Sequence, residues 1–242
     1  MILLFTDFGL DGPYVGQMQA VLQREAPGVP VFNLFADAPA HEPRLAAYLL
    51  AAYAPEFPAG SVFLAVVDPG VGGDRAAAVV EADGRWYVGP ENGLFAILAR
   101  RARVAKWWQI EVGEEAVSAS FHGRDVFAPV AARLAKGVPP PGAERAVEAL
   151  LRPEWPDDLD RVVYIDRFGN AMTGLRAAGL DADATLAVGE QRLPRARTFA
   201  EVPPGTAFWY ENANGLAEIA VNRGRADWSL GLATGDSIGV LR

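Results

Sequence analysis

Two uninterrupted apolar runs, Ile2-Leu3-Leu4-Phe5 and Val62-Phe63-Leu64-Ala65-Val66-Val67, each give way to an aspartate, Asp7 and Asp68. A strand without a polar face has to be covered on both sides, and crossover helices on a parallel sheet provide that cover. The intervening sequence supplies such helices. Val15, Met18 and Leu22 share one helical face, and Pro27-Gly28 stops that segment. Val31 to Phe35 reads as a strand, and Pro43 opens a helix lined by Leu45, Tyr48, Leu49 and Ala52. Strands at 77–80 and 86–88 and helices at 93–101 and 126–136 complete an α/β pattern, a central sheet flanked by helices.

Pro139-Pro140-Pro141-Gly142 closes that region, and Arg152-Pro153-Glu154-Trp155-Pro156-Asp157-Asp158 has the composition of a linker. Beyond it the periodicity changes. Short strands at 162–165, 185–188, 208–210, 216–221 and 237–241 are separated by Gly, Pro and Asn turns with no helix between them, which predicts a smaller antiparallel all-β barrel or sandwich. The expected organisation is an α/β domain over residues 1–151, a linker over 152–160 and a β-barrel domain over 161–242. A chain of 242 residues, 51% of them apolar, can bury two such cores.

Charge and residue content remove several functions. With 22 basic and 30 acidic side chains the formal charge is −8, the wrong sign for nucleic acid or an anionic membrane surface. The absence of cysteine excludes disulfides, thiolate metal sites and a cysteine nucleophile, and two histidines, His41 and His122, cannot build a poly-histidine metal centre. No metal site is expected. Met1 to Phe5 is too short for a signal sequence or a membrane span, so a cytoplasmic location is expected.

Asp7, Asp68 and Asp166 each follow an apolar strand, the edge at which open α/β sheets bind ligands. Any one of them is as readily a turn or helix cap. The glycine-rich turn Asp68-Pro69-Gly70-Val71-Gly72-Gly73-Asp74-Arg75 joins a carboxylate to a guanidinium but matches neither a phosphate loop nor a dinucleotide fingerprint. Phe121-His122-Gly123-Arg124-Asp125 places a histidine just before a helix, where Arg124 and Asp125 can also pair locally. His41 reads as a surface residue. Asp7-Phe8-Gly9 and His122-Gly123-Arg124-Asp125 echo kinase motifs, but in reversed order and without the strand lysine or phosphate loop. Asp166-Arg167-Phe168-Gly169-Asn170 offers a carboxylate, an aromatic face and an amide, and Asn212-Ala213-Asn214-Gly215 offers turn N–H groups; both also suit plain hairpin turns.

Taken in order, Thr6-Asp7-Phe8-Gly9 with Tyr14-Val15-Gly16, Val67-Asp68-Pro69-Gly70-Val71-Gly72 with Arg75, Gly89-Pro90-Glu91-Asn92-Gly93-Leu94, Phe121-His122-Gly123-Arg124-Asp125, Asp166-Arg167-Phe168-Gly169-Asn170 and Glu218-Ile219-Ala220-Val221-Asn222 give the chain a resemblance. From about residue 2 to residue 240 it resembles the S-adenosylmethionine hydroxide adenosyltransferases, the hydrolase relatives of the fluorinating and chlorinating enzymes. The resemblance implies an α/β domain, a C-terminal β-barrel and a homotrimer, with substrate held between the N-terminal domain of one subunit and the C-terminal domain of its neighbour. It implies cleavage of S-adenosylmethionine by water to adenosine and L-methionine, with S-adenosylmethionine as substrate and no cofactor. The catalytic set falls on Asp68, Arg75 and His122, and the ribose-binding carboxylate on Asp7. Methionine and adenosine contacts fall on Asp166, Phe168 and Asn170. The adenine-reading backbone falls on Ala213, Asn214, Val221 and Arg223, beside Tyr210 and Glu218. The chain departs from the family pattern at Ala213, where Ser is common, at Gly174, where Asn is usual, at Glu91, which replaces an Asp, and at Asp11, displaced by one place.

A sulfonium leaves readily, so attack of an activated water at the ribose C5′ needs no metal, and a dry, pre-organised site favours it because charge is annihilated. Arg75 and a positively polarised His122 are expected to favour the deprotonated water, and Asp68 to orient it; the proton acceptor stays open. A carboxylate next to the nucleophile repels halide, which separates a hydrolase from a halogenase. Two alternatives stand beside the hydrolase: a non-catalytic S-adenosylmethionine or adenosine-binding protein, and a halide-using enzyme.

Overall fold

The computed structural model describes residues 1–111 and 117–241. The chain forms two compact units, Met1–Pro153 and Glu154–Arg242.

The N-terminal unit contains β1 (Ile2–Thr6), α1 (Tyr14–Glu25), β2 (Val31–Phe35), α2 (Pro43–Tyr53), β3 (Val62–Val66), β4 (Ala77–Ala82), β5 (Arg85–Pro90), α3 (Ala96–Arg101), β6 (Ala105–Ile110), α4 (Ala128–Ala135) and β7 (Ala143–Arg145). They build one seven-stranded sheet in the order β2-β1-β3-β5-β4-β6-β7. β2, β1, β3 and β5 are parallel, and β4, β6 and β7 extend the sheet antiparallel. Alternation along β1 explains its unbroken apolar character. Ile2 and Leu4 pack with Met18, Leu22, Val130 and Leu134 of α1 and α4, whereas Phe5 turns to the opposite face and meets Phe35, which meets Tyr53 of α2. The fully buried Leu3 and Phe63 show that both faces are dry. β6 and β7 lie at the antiparallel edge, where Lys106 and Gln109 break the apolar pattern that marks the central strands.

The chain crosses from β1 to β2 on one side and from β2 back over β1 to β3 on the other. β1 and β3 therefore flank a topological switch point, and their carboxyl ends open a crevice between diverging connections. Thr6 pairs with Val66, so Asp7 and Asp68 leave the sheet at nearly the same level of that crevice.

The helix expected over 126–136 begins earlier than its pattern indicates. A π-helical turn over Gly123–Phe127 leads into α4, and Pro129 near the start of α4 has no N–H to donate back to Asp125.

The C-terminal unit contains β8 (Leu159–Ile165), β9 (Ala171–Arg176), β10 (Thr185–Val188), β11 (Gln191–Leu193), β12 (Ala207–Glu211), β13 (Leu216–Val221), α5 (Ala226–Leu230) and β14 (Gly239–Leu241). It forms two antiparallel sheets, β12-β13-β9-β8 and β11-β10-β14, around a core that includes Val162, Leu186, Trp209 and Ile219. The antiparallel all-β organisation is as expected, but the strands form two sheets and do not close into one barrel. Among the described residues the sheets share that core and are linked by isolated bridges, Arg161 to Ser237 and Arg195 to Trp209, rather than by a continuous ladder. Pro194, beside the second bridge, has no N–H with which to continue the ladder. The expectation of no helix is also corrected by the short α5, which ends at Gly231 in the left-handed conformation. Gly174 pairs with Leu159, and a Cβ there would lie 2.7 Å from the Leu159 Cβ, so this strand position leaves no room for a side chain.

Candidate active site

In the N-terminal unit, the loops after β3 and before α4 bring Asp68, Arg75 and His122 together. Arg75 Nε donates to both Asp68 oxygens at 3.0 Å, and Arg75 Nη2 closes a second, short contact to Oδ2. The pair is buried, with 5% of the Asp68 side chain and 11% of the Arg75 side chain exposed. The same Nη2 lies 2.9 Å from His122 Nδ1. A guanidinium can only donate, so Nδ1 accepts and the imidazole proton resides on Nε2. Burial and, after it, the Arg75 charge hold the His122 pKa below its ordinary value. His122 is thus placed as an Nε2–H donor.

Two contacts hold these loops in register. Gly72 has φ +79°, and a Cβ there would lie 2.4 Å from the Ala119 carbonyl oxygen, so only glycine lets the two loops approach. Asp125 accepts the Ser118 N–H at 2.9 Å and binds Arg124 through both oxygens, while Arg124 Nη1 reaches Gln17 of α1 at 2.9 Å. Arg124 and Asp125 therefore pair locally, and that pair ties the loop before His122 to α1.

Asp68 and His122 line a cavity of about 180 Å3 with Phe8, Tyr14, Val66, Val71, Ser120, Phe121 and Gly123. Phe8, Tyr14 and Phe121 pack edge to face with ring centroids 5.3–6.0 Å apart, giving it an aromatic wall. Asp7 does not line this cavity. Its Oδ2 accepts the His41 N–H at 3.0 Å, a contact to a distant loop.

In the C-terminal unit, Asp166, Phe168, Asn170, Tyr210, Val221 and Arg223 line one cavity of about 700 Å3. Asn170 donates to Asp166 through its backbone N–H at 2.8 Å and its side-chain Nδ2 at 3.1 Å, so the hairpin turn itself orients the carboxylate. Phe168 at the tip is 72% exposed, an aromatic face held out to solvent. Arg223 adopts φ +56°, a left-handed conformation uncommon for a residue with a Cβ. Phe199, Gly224 and Arg225 also line the cavity, and sequence reading missed them. Arg225 had a signal in Asp227 two residues on, to which it binds at 2.7 and 3.1 Å; Phe199 lies in a turn without any periodic pattern.

Ala213, Asn214 and Glu218 do not line that cavity. The Asn214 N–H donates to Asn212 Oδ1 at 2.9 Å and the Gly215 N–H to the Asn212 carbonyl at 3.0 Å, so the turn consumes amides expected to read a base. Glu218 is buried, and burial raises its pKa despite hydrogen bonds from Tyr210 and Asn212.

Among the described residues no group of three or more His, Cys, Asp or Glu side chains is placed to hold a metal ion, and no helix is long and apolar enough to cross a membrane.

Comparison with known proteins gives these cavities a context. Residues 2–143 match the SAM hydroxide adenosyltransferase N-terminal domain and residues 160–239 its C-terminal domain. A Thermus thermophilus protein named (R)-S-adenosyl-L-methionine hydrolase is 43% identical, with 99% of each chain covered. A Salinispora tropica protein of the same name is 38% identical over 97% of this chain and 95% of its own. The crystal structure of an uncharacterized conserved protein from Thermotoga maritima superposes with a TM-score of 0.87 at 33% identity, covering both chains fully. That of a conserved hypothetical protein from Thermus thermophilus gives 0.79 at 42% identity, with 99% of each chain covered. Two domain matches spanning nearly the whole chain, on a fold shared end to end with these relatives, place the chain in the SAM hydroxide adenosyltransferase family.

Proposed function

We propose that this chain hydrolyses S-adenosyl-L-methionine to adenosine and L-methionine, and that Asp68, Arg75 and His122 carry the reaction. The observation behind this reading is the partly buried Asp68–Arg75–His122 constellation at the edge of a cavity walled by aromatic rings. The (R) in the relatives' name is carried over as the configuration of the substrate, with the sulfonium as its stereocentre.

The reacting water forms an O–C5′ bond as the C5′–S bond breaks. The sulfonium electron pair leaves with methionine, and one water proton is released. In this scheme Asp68 is the anion that accepts the proton, and Arg75 holds its carboxylate in place. His122, kept neutral, donates its Nε2 proton to the water oxygen and orients it. Holding the water in line with C5′ replaces a bimolecular encounter with a positioned one. Asp7 is assigned to the ribose. The C-terminal cavity is assigned to the nucleoside and amino-acid ends through Asp166, Phe168, Asn170, Tyr210, Val221 and Arg223, with Ala213, Asn214 and Glu218 in support. We further propose that the reaction needs no metal or cofactor, that the enzyme is cytoplasmic, and that it is a homotrimer in which neighbouring subunits supply the two cavities.

The test is purified enzyme with each sulfonium epimer in chloride-free buffer containing 18O water. Equal growth of adenosine and methionine from the (R) epimer, with label in the adenosine 5′-hydroxyl, supports the reading. Bound nucleoside that never exceeds one equivalent refutes it in favour of a binding protein.

A further inference from the structure

The turn Gly89-Pro90-Glu91-Asn92-Gly93-Leu94 does not line the Asp68 cavity, yet it holds both ends of the loop that carries Asp68 and Arg75. Val67 is fully buried and is the first residue beyond β3. Its carbonyl accepts Asn92 Nδ2 at 2.9 Å. Asn92 Oδ1 accepts the Leu94 N–H at 3.3 Å, so the amide can face only one way. At the far end of the loop, the Glu91 N–H donates to the Ala76 carbonyl at 2.9 Å, and Pro90 stands opposite Ala77 where β4 begins. The turn is anchored in its own right. Glu91 accepts Arg152 Nη2 at 2.6 Å, and Arg152 Nη1 donates to the Ala149 carbonyl at 3.0 Å. A Cβ at Gly89 would run into the Ala65 carbonyl, so β5 lies close against β3 just before Val67.

The Asp68–Arg75 pair joins two residues of one loop, so that bond alone fixes neither of them relative to the sheet. Gly70, Gly72 and Gly73 lie between them, and glycine restrains a backbone least. The Val67 C=O and the Asp68 N–H belong to one rigid peptide plane. Holding that carbonyl therefore sets the direction in which Asp68 leaves β3. We infer that Asn92 is a positioning residue for the reaction, clamping the Val67–Asp68 peptide so that the Asp68 carboxylate meets the attacking water. The inference rests on the functional reading above, in which Asp68 accepts the proton of that water.

Asn92→Asp keeps the size of the side chain and the acceptor for Leu94, but turns an acceptor toward the Val67 carbonyl where a donor stood. Asn92→Leu, of similar volume, removes both contacts and adds no charge. The full-length proteins are compared by steady-state hydrolysis of S-adenosylmethionine and by calorimetric titration with adenosine. The clamp predicts that kcat falls about 10- to 100-fold in both variants, while KM, adenosine affinity and binding stoichiometry stay near the native values. A role confined to capping the turn leaves the kcat of Asn92→Asp native, because the Leu94 contact survives, and that result overturns the inference. A general loss of folded protein lowers the binding stoichiometry in step with kcat, and overturns it too. Should Asn92→Leu fail to fold, Asn92→Asp decides alone. Native turnover with an unaltered Asn92→Asp sinks only this inference; native protein that releases neither adenosine nor methionine overturns the hydrolase reading, and the inference with it.

Discussion

Replacing Asp68 by Leu removes the partner of a buried guanidinium. Asp68 and Arg75 are 5% and 11% exposed, and the carboxylate takes its contacts from two guanidinium nitrogens. Breaking a pair buried to this degree costs about 3–5 kcal/mol, because the remaining charge is left in a low-dielectric site. Arg75 keeps His122 Nδ1 at 2.9 Å and the Phe127 ring at 5.3 Å, which places the expected cost in the lower half of that range. For a chain of this length each kcal/mol is worth about 2–4 °C, so the melting temperature falls by roughly 6–16 °C. The double variant Asp68→Leu with Arg75→Met removes both charges and leaves side chains of similar shape. Replacing a whole buried pair by apolar groups is close to neutral, so the double variant recovers most of the lost melting temperature. Hydrolysis stays absent in both. Calorimetric melts with the product assay read both quantities. Equal destabilisation of single and double variants refutes the buried-charge argument, and undiminished turnover in Asp68→Leu refutes the catalytic assignment.

Other consequences are open to direct measurement. Imidazole NMR should show His122 titrating below its ordinary value of 6.5, and Arg75→Met should raise its midpoint. The sign follows from a depressed folded-state pKa: above 6.5 both folded and unfolded histidine are neutral, and the stability this group contributes is lost as pH falls from there through the lowered value. The activity profile should lose its acid limb over the same window; a limb unchanged in the Arg75 variant would contradict the coupling. Gly72→Ala forces the Asp68 and His122 loops apart against the Ala119 carbonyl and should reduce kcat far more than the roughly 1–2 kcal/mol expected for a left-handed Ala. Phe168→Ala should leave the melting temperature unchanged, since the ring is 72% exposed, while KM rises about 5- to 100-fold if the ring stacks on a base. Dialysis against a chelator should leave turnover intact, and its loss would sink the metal-free scheme.

The sequence alone determined the central parallel strands, because residues buried on both faces leave no polar position to disguise them: Ile2 to Phe5 and Val62 to Val66 are apolar throughout. It also determined the order of the motifs, and with it the family. β6, β7, β9 and β11 were not legible. β7 and β11 are short edge strands and β6 has mixed burial, while the buried β9 is interrupted by Thr173 and Gly174, the glycine for a reason visible only in its contact with Leu159. That Asp68, Arg75 and His122 meet was implied by the order of the motifs, but the hydrogen-bond direction between them was not. The Nε2–H of His122 follows from a guanidinium 47 residues away that can only donate. The interruption of the barrel depends on two isolated bridges, and the use of the 212–215 amides within their own turn depends on one side-chain orientation. Burial pattern is written locally along a chain and survives in one dimension. Hydrogen-bond direction, charge state and closure of a sheet depend on partners distant in sequence, and only the tertiary structure decided them.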